Sequence, residues 1–298
     1  MTEKPKVIIF LALLCVIWGT TWLVTKTNVH LVPPYFAGML RFALASLILG
    51  AIHWRWPAPS ALPPPWWLSM IVGSLQLGLS YCLIYYASAR LPSALVSVLW
   101  ATFPLMTMAC SAIALPGERF STAQFIGLGL GLAGVGILVG VDLRGISADA
   151  ARTGAVFLLS PLLAAMSTVV ARRWGKATNA VLLNRNGMAL GAMWFAGASI
   201  VARESWRLDS VSSEAWISLV YLAVVATVVP FWIYFWLLQR MSAVKLSTVM
   251  YITPFIAILT GGFLGREPIH VSTVLGAAIL VSGVVLTSRS GANRSMPR

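Results

Sequence analysis

The stretch that decides the fold is ARLPSALVSVLWATFPLMTM (residues 89–108), which returns 150 residues later as QRMSAVKLSTVMYITPFIAI (239–258). At that offset Arg90 falls on Arg240 and Pro104 falls on Pro254. Each copy belongs to a half of the chain that holds five apolar stretches. Because five is odd, the second half would enter a bilayer from the side opposite the first. The repeat therefore predicts two halves of inverted topology.

Composition places the chain in a membrane. Of its 298 residues 59% are hydrophobic and 10% are charged, with a mean hydropathy of +0.86. A soluble protein of this size could not bury so much apolar surface. The net charge of +13 comes from single Lys and Arg residues scattered over loops and span ends. That scatter excludes a nucleic-acid-binding stripe and is typical of contact with lipid headgroups.

Ten segments have the roughly 20 apolar residues that a transmembrane helix needs. They are residues 7–26, 34–53, 66–87, 92–114, 122–141, 154–172, 180–201, 215–238, 243–264 and 271–287. We therefore expect an all-α integral membrane protein with ten transmembrane helices, built as two inverted five-helix repeats over 1–145 and 146–298. With the N-terminus inside, the inner segments carry twelve Lys and Arg and the outer segments carry seven. The positive-inside rule then places both termini in the cytoplasm.

Charge and proline inside the spans mark further candidates. Arg41 and Arg185 are the cations within predicted spans, and an intramembrane cation is either functional or reaches a helix end to meet water. All eight acidic residues lie in loops or at span edges, so no buried proton or sodium relay is visible. Pro104 and Pro254 interrupt matching spans of the two halves, which predicts hinges.

Aromatic and hydroxyl side chains predict a cavity for a small amphipathic solute. The candidate substrate-binding residues are Trp18, Thr21, Gln76, Ser80, Tyr81, Tyr85, Trp100, Ser167, Trp232 and Tyr251. For each aromatic the alternative is a place in the interfacial belt, and for each hydroxyl a role in joining helices. Glycines at 127, 129, 131, 134, 136, 276 and 283 predict close packing of the fifth and tenth spans as scaffold. No catalytic triad or metal-ligand spacing occurs, so we expect no enzyme, no metal and no cofactor.

Several motifs in order resemble the drug/metabolite transporter superfamily, in particular proteins with two EamA domains. They are WGTTW (18–22), LRFALAS (40–46), Pro104 and TVVPFWIYFWLLQRMSAVKLS (227–247), followed by Pro254. The resemblance covers residues 8–288 and implies ten helices around a central cavity formed by the first, third, fourth, sixth, eighth and ninth. It also implies export of amino acids or other metabolites, with Trp18, Tyr81, Trp100, Trp232 and Tyr251 in the cavity.

Three functions remain open from the sequence. The first is an inner-membrane exporter of amino acids or related metabolites, working as a monomer in the lipid bilayer on a small-molecule substrate by alternating access. The second is a carrier of phosphorylated or nucleotide-sugar-like anions, which would need Arg41, Arg185 or Lys245 to reach the cavity. The third is a channel-like facilitator or a non-transporting membrane subunit.

Overall fold

The computed structural model describes residues 3–57, 62–91, 93–115, 120–139, 147–206, 212–253, 256 and 271–290. The described chain is helical, apart from one isolated bridge between Leu62 and Thr178. The helices are α1 (Glu3–Leu31), α2 (Pro34–Arg55), α3 (Trp66–Ser88), α4a (Ser93–Trp100), α4b (Phe103–Ala114), α5 (Thr122–Val139), α6 (Ala148–Trp174), α7 (Ala180–Val201), α8 (Ser213–Leu238), α9 (Ala243–Ser247, with helical residues 249–253 after it) and α10 (Val271–Ser290).

Five of the described helices, α1, α2, α3, α6 and α8, are long and apolar enough to cross a membrane. Shorter apolar helices cover Val98–Ala114, Thr122–Ile137 and Ala278–Thr287. The helix α7 has the length of a span, but the polar run at 184–186 lowers its hydropathy. The all-α membrane class is thus confirmed, whereas the count of ten spans stays a prediction.

The helices α5 and α10 pack backbone against backbone, as the glycines predict. A Cβ added to Gly283 would lie 2.5 Å from the carbonyl oxygen of Gly127, and one added to Gly127 would lie 2.7 Å from the carbonyl oxygen of Gly283. Any larger residue at either position would push the two helices apart. A Cβ added to Gly129 or Gly136 would meet no described residue within 4 Å, so only part of the glycine pattern serves this contact.

Connections at each end of the bundle are tied to one another. At one end Asn179 N donates to Leu62 O at 2.8 Å, which joins the α2–α3 and α6–α7 connections. At the other end the Glu204 carboxylate accepts from the backbone amides of Tyr35 (3.1 Å) and Phe36 (2.8 Å). Glu204 thereby supplies the acceptor that the first turn of α2 lacks, since Pro33 cannot cap it with a side chain. These ties hold α2 against α7.

Three of the long helices near the centre are irregular. The helix α3 is π-helical over Val72–Ser80 and α8 is π-helical over Val224–Val228, which are matching places at the 150-residue offset. The fourth span breaks at residues 101–102, just before Pro104 in the first turn of α4b. Because Pro104 has no backbone N–H, the helix cannot continue its regular bonding through this point. Interrupted helices at matching places are the usual surroundings of a transporter's binding site.

Candidate functional site

A central cavity opens between the irregular helices. It is lined by Trp18, Thr21, Trp22, Thr25, Arg41, Gln76, Tyr81, Ile84, Trp100, Phe103, Ala164, Phe231, Tyr234 and Met250. These residues come from α1 to α4b in the first half of the chain and from α6, α8 and α9 in the second. The cavity offers about 60 Å³ to the centres of water molecules. Since ~10–15 Å³ is enough for one water, the space suits a small organic solute.

Arg41 is the one charged residue among the described residues of this wall, and its side chain is 1% exposed. Its Nε donates to Thr227 Oγ1 at 2.7 Å, and its Nη2 donates to Ala226 O at 3.2 Å. In a regular helix the amide of residue 230 would use the Ala226 carbonyl, but Pro230 has no N–H to donate. Pro230 thus removes the amide that an α-helix would direct at this carbonyl, and the guanidinium donates to it instead.

Aromatic rings and a hydroxyl complete the surroundings of the guanidinium. Arg41 Cζ lies 5.4 Å from the ring centroid of Tyr81 and 5.6 Å from that of Phe42. Its Nη1 donates to the Tyr85 hydroxyl at 3.4 Å. Among the described residues the one ion pair is Arg152 with Asp149, on the surface, so no carboxylate there neutralises Arg41. Neutral groups alone hold this buried cation in the described part of the chain.

Two indoles in the wall differ in their hydrogen bonding. Trp100 Nε1 donates to Met250 Sδ at 3.3 Å, whereas Trp18 Nε1 is buried and finds no acceptor in the described chain. Beside them the amide of Gln76 is oriented by Ser167, whose hydroxyl donates to Gln76 Oε1 at 3.2 Å. The wall thus contains one buried indole N–H, that of Trp18, without an acceptor among the described residues.

Five of the ten sequence-predicted substrate residues line the cavity, namely Trp18, Thr21, Gln76, Tyr81 and Trp100. The other five lie elsewhere, namely Ser80, Tyr85, Ser167, Trp232 and Tyr251. The Ser80 hydroxyl shares a 3.0 Å hydrogen bond with Ser160 and so joins α3 to α6. Tyr251 is fully buried beneath α5, where its hydroxyl donates to Leu128 O at 2.9 Å. Both are helix–helix contacts, which was the alternative for Ser80, whereas the interfacial belt, the alternative for an aromatic residue, does not describe the buried Tyr251.

The remaining three residues stand around the cavity or outside it. Tyr85 and Ser167 act on residues of the wall, since Tyr85 accepts from Arg41 and Ser167 donates to Gln76. Trp232 is 38% exposed, and its ring packs edge-on to Phe10 at 5.7 Å on the outer face of the bundle. One residue earlier, Phe231 faces inward because successive helical side chains diverge by about 100°.

Comparing equivalent positions of the repeat identifies several wall residues that selection by residue type did not include. At an offset of 150, Tyr81 corresponds to Phe231, Ile84 to Tyr234 and Trp100 to Met250, and all six line the cavity. Part of the wall is therefore built from equivalent positions of the two halves. Applying the offset to Tyr81 points to Phe231 rather than to Trp232.

The other sequence candidates have separate places. Arg185 lies outside the cavity wall, and its Nη2 donates to Asn186 Oδ1 at 2.8 Å. Pro104 lies at the break in the fourth span, while Pro254 lies outside the described residues. Within the described ranges no group of three His, Cys, Asp or Glu side chains could hold a metal ion.

Known proteins resemble this chain over nearly its whole length. A crystal structure superimposes with a TM-score of 0.81 at 20% identity, covering 98% of this chain and 99% of its own. The uncharacterized transporter YoaV of Bacillus subtilis is 24% identical, with 98% of this chain and 99% of the relative covered. The uncharacterized inner membrane transporter YedA of Escherichia coli is 26% identical over 92% and 88%. A probable amino-acid metabolite efflux pump of Salmonella typhimurium is 26% identical over 93% of each chain.

The family model that matches is the EamA-like transporter family. It matches twice, over residues 5–140 and again over residues 152–289. The two matches cover both halves that the internal repeat defines. Taken with the apolar helices and the central cavity, they identify a membrane transporter: the chain belongs to the EamA-like transporter family.

Proposed function

We propose that this transporter exports amino acids or related small metabolites across the bacterial inner membrane by alternating access. The observation that carries the proposal is the small cavity between equivalent helices of the two halves, with aromatic and hydrogen-bond-donating walls. Such a wall suits a small amphipathic solute. A relative named as a probable amino-acid metabolite efflux pump supports the substrate class.

In this mechanism the solute binds between the repeats 1–145 and 146–298, near the middle of the membrane. The helices α3, α4a–α4b, α8 and α9 then bend or rock, so that one entrance closes before the other opens. The break at Pro104 and the two π-helical segments are the places where these helices deform most easily. We propose ten spans of inverted topology, both termini in the cytoplasm and a monomer.

The alternative of a phosphorylated or nucleotide-sugar-like substrate finds less support. Such a ligand needs several cations, yet Arg41 alone among the described Arg and Lys residues lines the cavity. Arg185 is held by Asn186, and Lys245 lies in the first turn of α9, where its backbone amide donates to the Ser242 cap.

Counterflow tests the function. Purified protein in liposomes loaded with one unlabelled amino acid at a time is assayed for uptake of the same labelled amino acid, with empty vesicles as control. We expect internal solute to accelerate uptake for a few amino acids. Absence of uptake over the whole panel would instead favour phosphorylated or drug-like solutes as the substrate class. Flux that ignores the internal solute would instead indicate a channel.

Accessible cysteines test the orientation. In a chain cleared of Cys15, Cys82 and Cys110, Trp56→Cys marks the α2–α3 connection and Ser205→Cys marks the α7–α8 connection, both at exposed positions. A membrane-impermeant thiol reagent on intact cells should label Ser205→Cys, and should label Trp56→Cys only after the cells are opened. The reverse result would place both termini outside.

A further inference from the structure

We propose that the cavity holds its substrate by a carboxylate, which binds between the guanidinium of Arg41 and the indole N–H of Trp18. This rests on the proposed transport function and names the chemical class that it serves. The ligand is a small monocarboxylate with an apolar remainder, and amino acids are one form of it.

The first ground is a buried cation whose counter-ion is absent from the described residues. Arg41 uses three of its five N–H groups on Thr227, Tyr85 and Ala226, all of them neutral. A buried charge is costly unless an opposite charge is near it. Two N–H groups and the whole positive charge therefore remain for a ligand that enters this wall.

The second ground is independent of charge. Trp18 is 8% exposed and lines the cavity, and its Nε1–H lacks an acceptor among the described residues. Indole is a donor only, so no rotation can turn it into an acceptor. Most buried donors in folded proteins are paired, and an exception calls for an explanation. An acceptor that arrives with the substrate supplies one.

The rest of the wall limits the ligand. Trp22, Trp100, Phe103 and Phe231 present rings, and none of the described Asp and Glu residues lines the cavity. An ammonium group would meet only aromatic faces and neutral hydroxyl or amide oxygens among the described wall residues, whereas a carboxylate would find a charged donor and a neutral one. The carboxylate is therefore required for binding, and the amine is dispensable.

Ligand-induced thermal stabilisation of the full-length protein in detergent tests this without relying on transport. The probes share one carbon skeleton: L-leucine, L-leucinamide, 4-methylpentanoate, which lacks the amine, and isopentylamine, which lacks the carboxylate. We expect leucine and 4-methylpentanoate to raise the melting temperature with half-saturating concentrations within about 3-fold of each other. The amide and the amine should bind at least ~30-fold more weakly, since a charge-assisted pair is lost. Equal binding of the amide, or stabilisation by none of the four, would overturn the proposal.

Variants assign the two donors. Trp18→Phe keeps a ring but loses the N–H, and should weaken 4-methylpentanoate binding about 10-fold. The same exchange at Trp54, which is 85% exposed, is the matched control and should change nothing. Arg41→Lys keeps the charge without the planar fork and should bind more weakly than the wild type, while Arg41→Gln should abolish the preference for the carboxylate. Unchanged binding in Trp18→Phe would remove Trp18 from the site even if an Arg41 variant failed to fold.

The two proposals fail separately. Selective binding of carboxylates with no counterflow of any amino acid would keep the carboxylate site and reject amino-acid export. If leucine shows counterflow and leucinamide inhibits that flux as strongly as unlabelled leucine does, the transport function stands and the carboxylate site is rejected.

Discussion

Substitutions of Arg41 and Thr227 should have strongly non-additive effects on the free energy of unfolding. Arg41 Nε donates to Thr227 Oγ1 at 2.7 Å, and that hydroxyl donates in turn to Leu222 O at 2.7 Å. Thr227→Val keeps the shape of the side chain and leaves a charged N–H unpaired in a buried place. A hydrogen bond to a charged group contributes about 1.5–3 kcal/mol, although side-chain bonds in membrane proteins average nearer ~0.6 and reach ~1.7 kcal/mol.

The double variant Arg41→Met with Thr227→Val removes both the charge and its acceptor. It should therefore unfold more easily than the wild type by less than the sum of the two single changes, with a coupling of about 1–2 kcal/mol. Reversible unfolding in mixed micelles, followed by helical circular dichroism as the fraction of dodecyl sulfate rises, measures each corner of the cycle.

A control cycle pairs Thr227→Val with Arg185→Met. Arg185 bonds to Asn186 and shares no hydrogen-bond partner with Thr227 in the described part of the chain, so these changes should add within ~0.5 kcal/mol. If the Arg41 cycle is equally additive, the hydroxyl does not hold the guanidinium, and the account of the π-helical segment fails.

Three further predictions follow from the scaffold and the broken helix. Gly283→Ala should lower the free energy of unfolding by about 1–3 kcal/mol, because its Cβ would lie 2.5 Å from Gly127 O. The control Gly129→Ala should be neutral or should raise the free energy of unfolding by up to ~1 kcal/mol. Equal effects of the two variants in the same unfolding assay would contradict the packing of α5 on α10. Pro104→Ala should slow counterflow while leaving the half-saturating concentration unchanged. If transport rate and substrate affinity fell equally, Pro104 would not act as a hinge. Glu204→Gln should lower the melting temperature, with a loss of about 0.5–2 kcal/mol as the amides of α2 lose a charged acceptor, and an unchanged melting curve would refute that cap.

Hydropathy and glycine spacing predicted the helical scaffold, because both depend on the average composition of a helix and not on the direction of a single side chain. The span predicted at 34–53 falls within α2 (Pro34–Arg55), and Gly127 and Gly283 meet as their spacing requires. Close packing needs only small residues on facing sides, which a sequence displays directly.

Residue type was a poorer guide to the cavity wall. Trp232 carries the more polar ring, but its neighbour Phe231 faces inward, and the difference is a rotation of about 100° around α8. The π-helical segment beside it shifts that rotation again, and helix propensity does not register such a segment. Pro230 was the readable sign, because a proline frees the carbonyl four residues before it.

The contact between Trp100 and Met250 shows how the two halves can carry different residues at equivalent positions. These residues occupy the same position in the two copies, yet they touch one another. In a symmetric pair of separate subunits such a position would meet its own duplicate, so one side chain would have to serve as donor and acceptor alike. Joining the copies in one chain lifts that restriction, and here an N–H faces a sulfur. Arg41 follows the same logic, since a single chain can keep one buried cation at its centre where a symmetric pair would be forced to bury two.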